Sequence, residues 1–344
     1  MPDNSQTQPN AFNCEGGLVL NRSNFVMQPG EALELENFEP DIQGGYRRIN
    51  GFRKFVNQVI PFTSSSSETT LLVANFANKV VAARGEKIFT SSSAELAISI
   101  ASGTGMTGSG TISVGSTVGF SSSGTLQIDS EIFTYTGINS TTFTGVTRAT
   151  SSTTAAAHSK ASVVSESWTV RDTGRTSAAK YHFERFNFDG NEKIICVDQA
   201  NAPVVFNTAM AATDVSTSSV AGAKTVAAYR NHMFYAGKST SPQEIVFSEP
   251  FDEDGFNAGD GAGSIKVDDT VVALKVFRDS LFIFCENRIF KLTGSSLSNF
   301  AVEPVTRNIG CINSFTVQEF AGDLIFLGPD GLRTVAATAR IGDT

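Results

Sequence analysis

The stretch that decides the fold is Val272 to Gly294, VALKVFRDSLFIFCENRIFKLTG. Short apolar runs rich in Val, Ile, Leu and Phe alternate in it with polar turns, the first of them at Asp279. Runs of this composition between closely spaced turns are typical of β-strands. A helix would need an apolar face sustained over about 10 to 12 residues without such turns. The stretch therefore predicts a series of short strands.

The same order of strand and turn recurs along the chain, which indicates a repeat protein. The other copies are Leu71 to Ser91, Tyr181 to Asn207, Val226 to Glu249 and Ser314 to Val335. The first turns of the five copies are anchored on Asn78, Asn191, Asn231, Asp279 and Asp323. The last three spacings, 40, 48 and 44 residues, fall in the range of about 40 to 50 that is typical of β-propeller blades.

The first spacing, 113 residues, is too long for one blade and includes a segment of different composition. Residues Ala101 to Ser165 are rich in Ser, Thr and Gly, and their only charged side chains are Asp129, Glu131, Arg148 and Lys160. Without these 65 residues the spacing would be 48. The predicted fold class is therefore all-β, with five β-propeller-like blades and a small inserted β module.

These patterns divide the chain into four regions. They are an N-terminal segment with a hairpin at 1–60, a first blade at 61–100, the inserted module at 101–165 and further blades at 166–344. In the N-terminal segment we expect a strand at Leu18–Leu20, a short helix at Glu31–Asn37 and a strand pair that turns at Asn50-Gly51.

The inserted module is poor in apolar side chains. We expect three short strands in it, at Leu126–Ile128, Glu131–Thr136 and Thr142–Val146. Its flanks, at 102–110 and 150–160, are predicted to be flexible joints or weakly packed loops. With so little apolar mass the module should be marginal alone, unless it packs on another part of the protein.

Composition limits the class of protein. The 344 residues are 40% apolar and 17% charged, with a net charge of −8, which argues against disorder and against a surface that grips nucleic acid. The polar N-terminus is unlike a signal peptide, and no apolar run approaches the roughly 20 residues of a membrane span, so we expect a soluble protein made in a cytoplasm. The dispersed cysteines are expected to be buried thiols in a reducing compartment. They are Cys14, Cys196, Cys285 and Cys311.

No residue pattern predicts a catalytic, cofactor or metal site, so we predict a protein that is not an enzyme. The GTGMTG sequence at 103–108 matches a dinucleotide fingerprint, but no helix pattern follows it. His158, His182 and His232 fit no catalytic signature and are expected to be structural or surface residues. A propeller glycosidase with paired central carboxylates is a rival, but the aspartate-rich motif of sialidase blades is not evident in the repeats.

Two charged clusters remain. The acidic run Phe251 to Asp269 offers Asp252, Asp254 and Asp260 as candidate calcium ligands, but its spacing departs from the EF-hand pattern after Gly255. A solvated loop between blades is the simpler interpretation. The basic cluster consists of Arg47, Arg48, Arg53 and Lys54. It lacks interleaved aromatic residues, which favours an interface or a guarded strand edge over a nucleic-acid site.

Two stretches resemble the propeller-containing tail-tube proteins of short-tailed double-stranded DNA phages, also called tail nozzle or hub proteins or tail tubular protein B. The first is GGLVLNRSNFVMQPGEALELENFEPDIQGGYRRINGF at 16–52, and the second is 271–335, with FRD, ENRIFKLTG, NIGC and GDLIFLGPDGLRTV. Together they cover roughly a third of the chain. The insert, with IDSEIFTYTG and TTFTGVTR, is similar to a small module found inside varied phage tail proteins.

The resemblance implies a structural virion protein of the tail, assembled in the host cytoplasm. It implies a hexameric ring of nozzle or hub subunits, with the head–tail adaptor and tail fibre proteins as partners and no membrane contact. Genome DNA would pass through the lumen without tight binding, and we expect the acidic run 251–269 on the lumen side or at a ring edge. The alternative is a receptor- or glycan-binding tail component that uses the inserted module.

The end of the chain departs from the family pattern. Members usually continue well beyond a GLRTV-like blade, whereas this chain stops at IGDT soon after it. Either the chain is shortened, or strands of the N-terminal segment close the propeller.

Overall fold

A computed structural model describes residues 16–19, 23–28, 30–40, 45–49, 51, 53–58, 68–177 and 179–341. The chain forms two compact units, Met1–Lys54 and Phe55–Thr344. Strands dominate both units, as the apolar runs and frequent turns predict.

The N-terminal unit contains two small sheets. Strands β1 (Gly17–Leu18) and β2 (Glu31–Ala32) pair in parallel, and β3 (Phe38–Pro40) and β4 (Tyr46–Arg48) pair antiparallel. Strand β1 corresponds to the predicted strand Leu18–Leu20, of which Leu20 lies outside the described residues.

Two expectations for this unit are wrong. The predicted helix Glu31–Asn37 does not form, because its first residues pair as β2 and Asn37 adopts a φ of 62°, which a right-handed helix excludes. Strand Tyr46–Arg48 forms, but it pairs with the preceding Phe38–Pro40, and among the described residues after the predicted turn none pairs with it. Of that turn at Asn50-Gly51, Asn50 lies outside the described residues.

The larger unit begins with a sheet that the inserted module interrupts. Its first strands are β5 (Thr70–Phe76), β6 (Lys79–Arg84) and β7 (Lys87–Ser91). The module follows with β8 (Ser93–Glu95), β9 (Thr107–Ser113), β10 (Gly124–Ile128), β11 (Glu131–Tyr135), β12 (Gly137–Asn139), β13 (Thr142–Thr147) and β14 (Val163–Glu166). The chain then returns as β15 (Thr169–Thr173), which pairs with β7 as the fourth strand of the first blade. The first blade is therefore discontinuous and extends beyond 61–100.

Four more antiparallel sheets follow in the described part of the chain. The second blade is β16 (His182–Asn187), β17 (Glu192–Val197), β18 (Val204–Asn207) and β19 (Ala212–Asp214). The third is β20 (Thr225–Tyr229), β21 (His232–Lys238), β22 (Ser241–Phe247) and β23 (Gly263–Lys266). The fourth is β24 (Val271–Phe277), β25 (Ser280–Cys285), β26 (Ile289–Thr293) and β27 (Ala301–Thr306). The fifth has β28 (Gln318–Phe320), β29 (Asp323–Gly328) and β30 (Gly331–Thr334), followed by helix α1 (Val335–Ile341). The predicted fold class is confirmed.

Each sheet packs on the next through its own hydrophobic cluster. Phe76 of the first blade shares a cluster with Phe206 of the second, and the ring of Phe284 in the fourth lies 5.4 Å from that of Phe326 in the fifth. Two further clusters join the second blade to the third and the third to the fourth. Within the described residues, no such cluster joins the fifth sheet to the first.

The apolar runs in the repeats follow from this serial packing. Successive side chains of a strand point to opposite faces, and both faces of a middle strand are covered. Ile194 packs toward the first blade while Ile195 packs toward the third. In the same way, Ile283 packs toward the third blade and Phe284 packs toward the fifth. A middle strand consequently contains a continuous apolar run, such as Ile194–Val197 or Leu281–Cys285, in which the residues do not alternate with polar ones.

The cysteines that the structure describes are buried and free. Cys196 and Cys285 lie in middle strands and Cys311 lies in the core between the last two blades. Burial raises the pKa of the Cys196 thiol to about 12, so the thiol form persists at neutral pH. This confirms the prediction of buried thiols for these positions, while Cys14 lies outside the described residues.

The repeated turns are tight connections with left-handed backbone. The Arg230-Asn231 turn has φ values of 50° and 65°, and Ala77-Asn78 and Arg278-Asp279 have the same signs. Two successive positive φ values define the type I′ turn, whose twist suits adjacent antiparallel strands. Asn191 ends a longer turn.

The last anchor is one residue out of place. The equivalent turn of the fifth blade is Ala321-Gly322, with φ values of 50° and 77°, and Asp323 is the first residue of the strand that follows. The turn glycine occupies the position that Asn or Asp holds in the other blades, because each of these residues tolerates positive φ.

The inserted module is a small closed barrel. Its strands pair in the order β8, β14, β10, β11 and β13, and β13 pairs in turn with both β12 and β9. A bridge between Leu96 and Val114, with a backbone hydrogen bond from Ala97 to Ser113, joins the last strand back to the first. Thirteen buried side chains fill its interior, including Phe133 and Phe143.

The barrel corrects three expectations about the insert. Its strands run from Ser93 to Glu166, so it begins before the predicted boundary at Ala101. The flank at 102–110 contributes most of strand β9 and buries Met106. The flank at 150–160 buries His158. The module therefore has an apolar core of its own, because residues dispersed over the whole segment converge when the sheet closes.

We predict that Asn231 stabilises its turn by adopting positive φ. Asn231→Ala should lower the free energy of unfolding by about 1 kcal/mol, because a Cβ without a compensating side-chain polar group is disfavoured there. Asn231→Gly should change it by only a few tenths of a kcal/mol. Denaturant unfolding followed by circular dichroism measures both. Equal stability of the Ala variant and the native protein would contradict the assignment.

Candidate functional site

A network of charged side chains, buried except for Asp129, lies where strands β11 and β13 meet the flanking segments of the inserted barrel. The Glu131 carboxylate, which has no exposed surface, accepts hydrogen bonds from Arg148 Nε at 2.8 Å and Arg148 Nη2 at 2.7 Å. It also accepts from the backbone N–H groups of Ala149 and Ala156, at 3.0 and 2.9 Å. The two-pronged contact is the strongest geometry available to an Arg–carboxylate pair.

His158 extends the network. Its Nδ1 lies 2.7 Å from Asp129 Oδ2 and its Nε2 lies 2.9 Å from Glu131 Oε2. Each ring nitrogen therefore lies within hydrogen-bond distance of a carboxylate oxygen. Arg148 Nη1 donates to the carbonyls of Ala101 and Thr104, at 2.9 and 3.0 Å, and so fixes the flank before β9.

The environment of Glu131 favours its ionised form. Burial acts to raise its pKa, but hydrogen bonds from Arg148, the Ala156 N–H and His158 outweigh that effect and lower the pKa to about 2. A lowered carboxyl pKa contributes stability that is complete above the ordinary value and is lost as pH falls toward the folded-state value. The network therefore stabilises the barrel across the neutral range.

Each member of this network is evident in the sequence, but the contacts between them are not predicted by it. Asp129, Glu131 and Arg148 are three of the four charges in the insert, and His158 was expected to be structural or on the surface. The structure places His158 in the interior with 2% exposure. The feature that could have predicted the network is the scarcity of charged residues in the insert. An isolated charged residue beside the apolar strands of a small module must either be exposed to water or pair with an opposite charge.

The barrel is fixed to the first blade by polar contacts. Lys79 Nζ lies 3.1 Å from Glu166 Oε2, and both side chains are almost fully buried. Ser92 Oγ accepts from Lys79 Nζ at 3.2 Å and donates to the Gly119 carbonyl at 2.6 Å. Gly119 lies so close to the first blade turn that a Cβ there would meet the Asn78 carbonyl oxygen at 2.5 Å. The barrel is therefore seated firmly on that turn.

The acidic run 251–269 is a loop followed by an outer strand. It connects β22 to β23 in the third blade, and Asp252, Asp254 and Asp260 are exposed. Glu253 instead is buried and pairs with Lys193 of the second blade at 2.5 Å. Asp252, Asp254 and Asp260 therefore lie at the surface, as expected, whereas Glu253 is buried, and the place of the loop in a ring stays a prediction.

The remaining sequence candidates take structural positions. Arg47 lies on β4 and pairs with Glu39 at 2.9 Å, with both side chains exposed. The 103–108 motif leads into strand β9 and not into a helix. His232 is buried, with Nδ1 2.6 Å from the Ser248 carbonyl. In the ranges that the structure describes, no group of three or more His, Cys, Asp or Glu residues could hold a metal ion.

The last blade presents an uncovered apolar face. Leu324 and Phe326 point to the face that packs on the fourth blade and are fully buried. On the opposite face Phe320 is 66% exposed and Leu332 is 71% exposed. The sheet also has three strands in its described part, where the other blades have four.

The first blade has an apolar face that is covered only in its middle. Cross-strand partners Val73, Ala82, Phe89 and Val170 lie in one row on the side away from the second blade. Ala82 and Phe89 are buried, whereas Val73 is 66% exposed and Val170 is 45% exposed. Exposed apolar side chains therefore occur at both ends of the blade series.

A cavity of about 430 Å³ lies among the inner strands of the second to fifth blades. Its wall includes His182, Glu184 and Arg185 from β16, Lys275 from β24 and Phe315 from the turn before β28. Its size falls in the range of small-molecule sites, and its lining is charged. This cavity and the two terminal faces are the candidate functional surfaces.

Comparison with known proteins yields similarity of fold only. No family model and no curated protein matches this chain. The chain is similar to the crystal structure of Sqt1 from Saccharomyces cerevisiae, at 12% identity and a TM-score of 0.34, over 79% of this chain and 84% of that one. It is also similar to Hsv2 from Kluyveromyces lactis, at 8% identity and a TM-score of 0.33, over 81% and 78%.

We predict that Glu131 is required for the barrel to stay folded. Glu131→Gln should lower the free energy of unfolding by about 3–5 kcal/mol, because it leaves the buried Arg148 without its counter-charge. The fluorescence of Trp168, whose indole N–H bonds to the Gln58 carbonyl beside the barrel, reports this unfolding. The exposed Glu192→Gln, with the same chemical change, should have an effect within about 0.5 kcal/mol. Equal effects of the two substitutions would contradict the role of the network.

Proposed function

We propose that this protein is a structural subunit of the tail of a short-tailed double-stranded DNA phage, a nozzle or hub that forms part of the tube for genome DNA. The resemblance at 16–52 and 271–335 suggests the family. The proposal includes a hexameric ring, contacts with the head–tail adaptor and tail fibre proteins, and no enzymatic activity. Among the described residues, no helix has the length and apolar character needed to span a membrane.

The observation that carries the proposal is the pair of terminal apolar faces. Phe320 and Leu332 at one end, and Val73 and Val170 at the other, would remain in water in an isolated molecule. Exposed apolar clusters of this kind mark contact surfaces with other proteins. A tail component is held between neighbouring subunits, and such neighbours would bury these apolar side chains.

A receptor- or glycan-binding role is the second candidate. A groove of about 500 Å³ lies between the barrel, the first blade and the second blade, lined by Val118, Arg171 and Glu192 among others. The contact of Lys79 with Glu166 connects the barrel to the first blade beside this groove. A glycan array separates the two functions, since a nozzle subunit should bind none of the glycans.

We predict six copies per tail and an assembly that depends on the last blade. Mass measurement of purified particles should give six copies, and Phe320→Ser with Leu332→Ser should reduce assembly of the recombinant protein. Ile98→Ser on the barrel, a similarly exposed apolar residue, is the control and should assemble normally. Three copies per particle would instead indicate a fibre. Unchanged assembly of the double variant would show that the apolar face of the last blade is not needed for assembly.

We predict weak binding to duplex DNA. A tube that releases DNA quickly should avoid binding phosphates, because each neutralised phosphate adds salt-sensitive affinity. The net charge of −8 fits this requirement. A titration at about 50 mM salt, where electrostatic affinity is strong, measures it. Micromolar or tighter binding would contradict a lumen surface along which DNA passes freely, and would favour a protein that binds the DNA and holds it in place.

A further inference from the structure

The cavity among the inner strands is closed on one side by an aromatic contact between distant blades. The ring of His182 on β16 stacks on Phe315 at 4.2 Å with an interplanar angle of 16°. His182 Nε2 also lies 2.8 Å from Ser314 Oγ. Lys180 Nζ lies 5.9 Å from the centre of the Phe315 ring. The wall of the cavity is therefore held in place by contacts between the second and fifth blades.

Cations outnumber anions in this wall. The lining residues include two cations, Arg185 and Lys275, and one carboxylate, that of Glu184. Across the described ranges, neither cation lies within 4.0 Å of a carboxylate oxygen or makes a side-chain hydrogen bond. In this respect Lys275 differs from Lys291 of the same blade, which lies 3.7 Å from Glu303. A cavity with unpaired Lys and Arg side chains offers charge-assisted hydrogen bonds to an anion.

The titrating groups of the cavity respond to this excess of positive charge. Burial, together with Lys224 and Lys275, lowers the pKa of His182 to about 4, so the ring is neutral at pH 7. Burial raises the pKa of Glu184, while Lys275, a backbone hydrogen bond from Ala228 and Arg185 act to lower it. The pKa of His182 therefore reflects its burial first and the nearby charges of Lys224 and Lys275 second.

We propose that this central cavity binds a small oxyanion, a carboxylate or a phosphate, through Lys275 and Arg185. The guanidinium of Arg185 supplies a planar pair of donors and Lys275 supplies a mobile ammonium, a combination that suits either anion. The stacked ring of Phe315 provides an apolar surface for the rest of the ligand. The site is independent of the proposed tail function, since it uses the inner strands and neither terminal face.

Calorimetric titration of the full chain tests the proposal, with inorganic phosphate as one probe and glucuronate, a sugar carboxylate, as the other. Saturable binding with one site per chain is expected for at least one of the two. A preference for phosphate would indicate a phosphorylated ligand, and a preference for glucuronate would indicate an acidic sugar or another carboxylate.

Matched variants locate the binding. Lys275→Met should weaken binding by about tenfold or more, since a charge-assisted hydrogen bond contributes on the order of 1.5–3 kcal/mol. Lys275→Arg should retain binding, and Lys291→Met, with the same loss of charge in the same blade, should leave it unchanged. Circular dichroism verifies that each variant is folded. Absence of saturable binding at about 10 mM of either probe, or equal binding by Lys275→Met and Lys291→Met, would overturn the proposal.

Discussion

The packing of each sheet against the next is the interaction on which the rest of the larger unit depends. A middle strand such as β25 has no polar face, because Ile283 packs toward one neighbouring blade and Phe284 toward the other. Such a sheet cannot be stable alone, since both of its apolar faces would meet water. The blades therefore stabilise one another in series, and the two end sheets each keep a face with exposed apolar side chains.

The same constraint explains where the barrel is inserted. It enters between β7 and β15, the third and fourth strands of the first blade, so it interrupts an outer position and leaves the middle strands intact. The barrel has its own apolar core and its own buried ion pair, and it contacts the blade through Lys79, Glu166 and the Asn78 turn. The propeller core and the barrel core are thus separate.

Those aspects of the fold that depend on local sequence could be predicted. Contacts between residues that are far apart in the sequence could not. Apolar runs and turn residues identify the blades, because each repeat has its own strands and tight turns. The helix expected at Glu31–Asn37 failed because a short apolar pattern does not distinguish a helix from paired strands. The contact of Glu131 with Arg148 and His158 depends on the path of a whole barrel, which residue spacing does not reveal.

The apolar pattern of the repeats is less complete in the inner strands, and the polar residues of the candidate cavity lie there for that reason. The innermost strands line the cavity and pair with a neighbouring strand on one side only, so they are not covered as completely as the middle ones. Strand β17 is buried through most of its length, whereas β16 alternates between half-buried and exposed residues. His182, Glu184 and Arg185 occupy those less covered positions. Polar residues are tolerated there without loss of packing, so the centre of the propeller can carry a binding site that the apolar repeats do not encode.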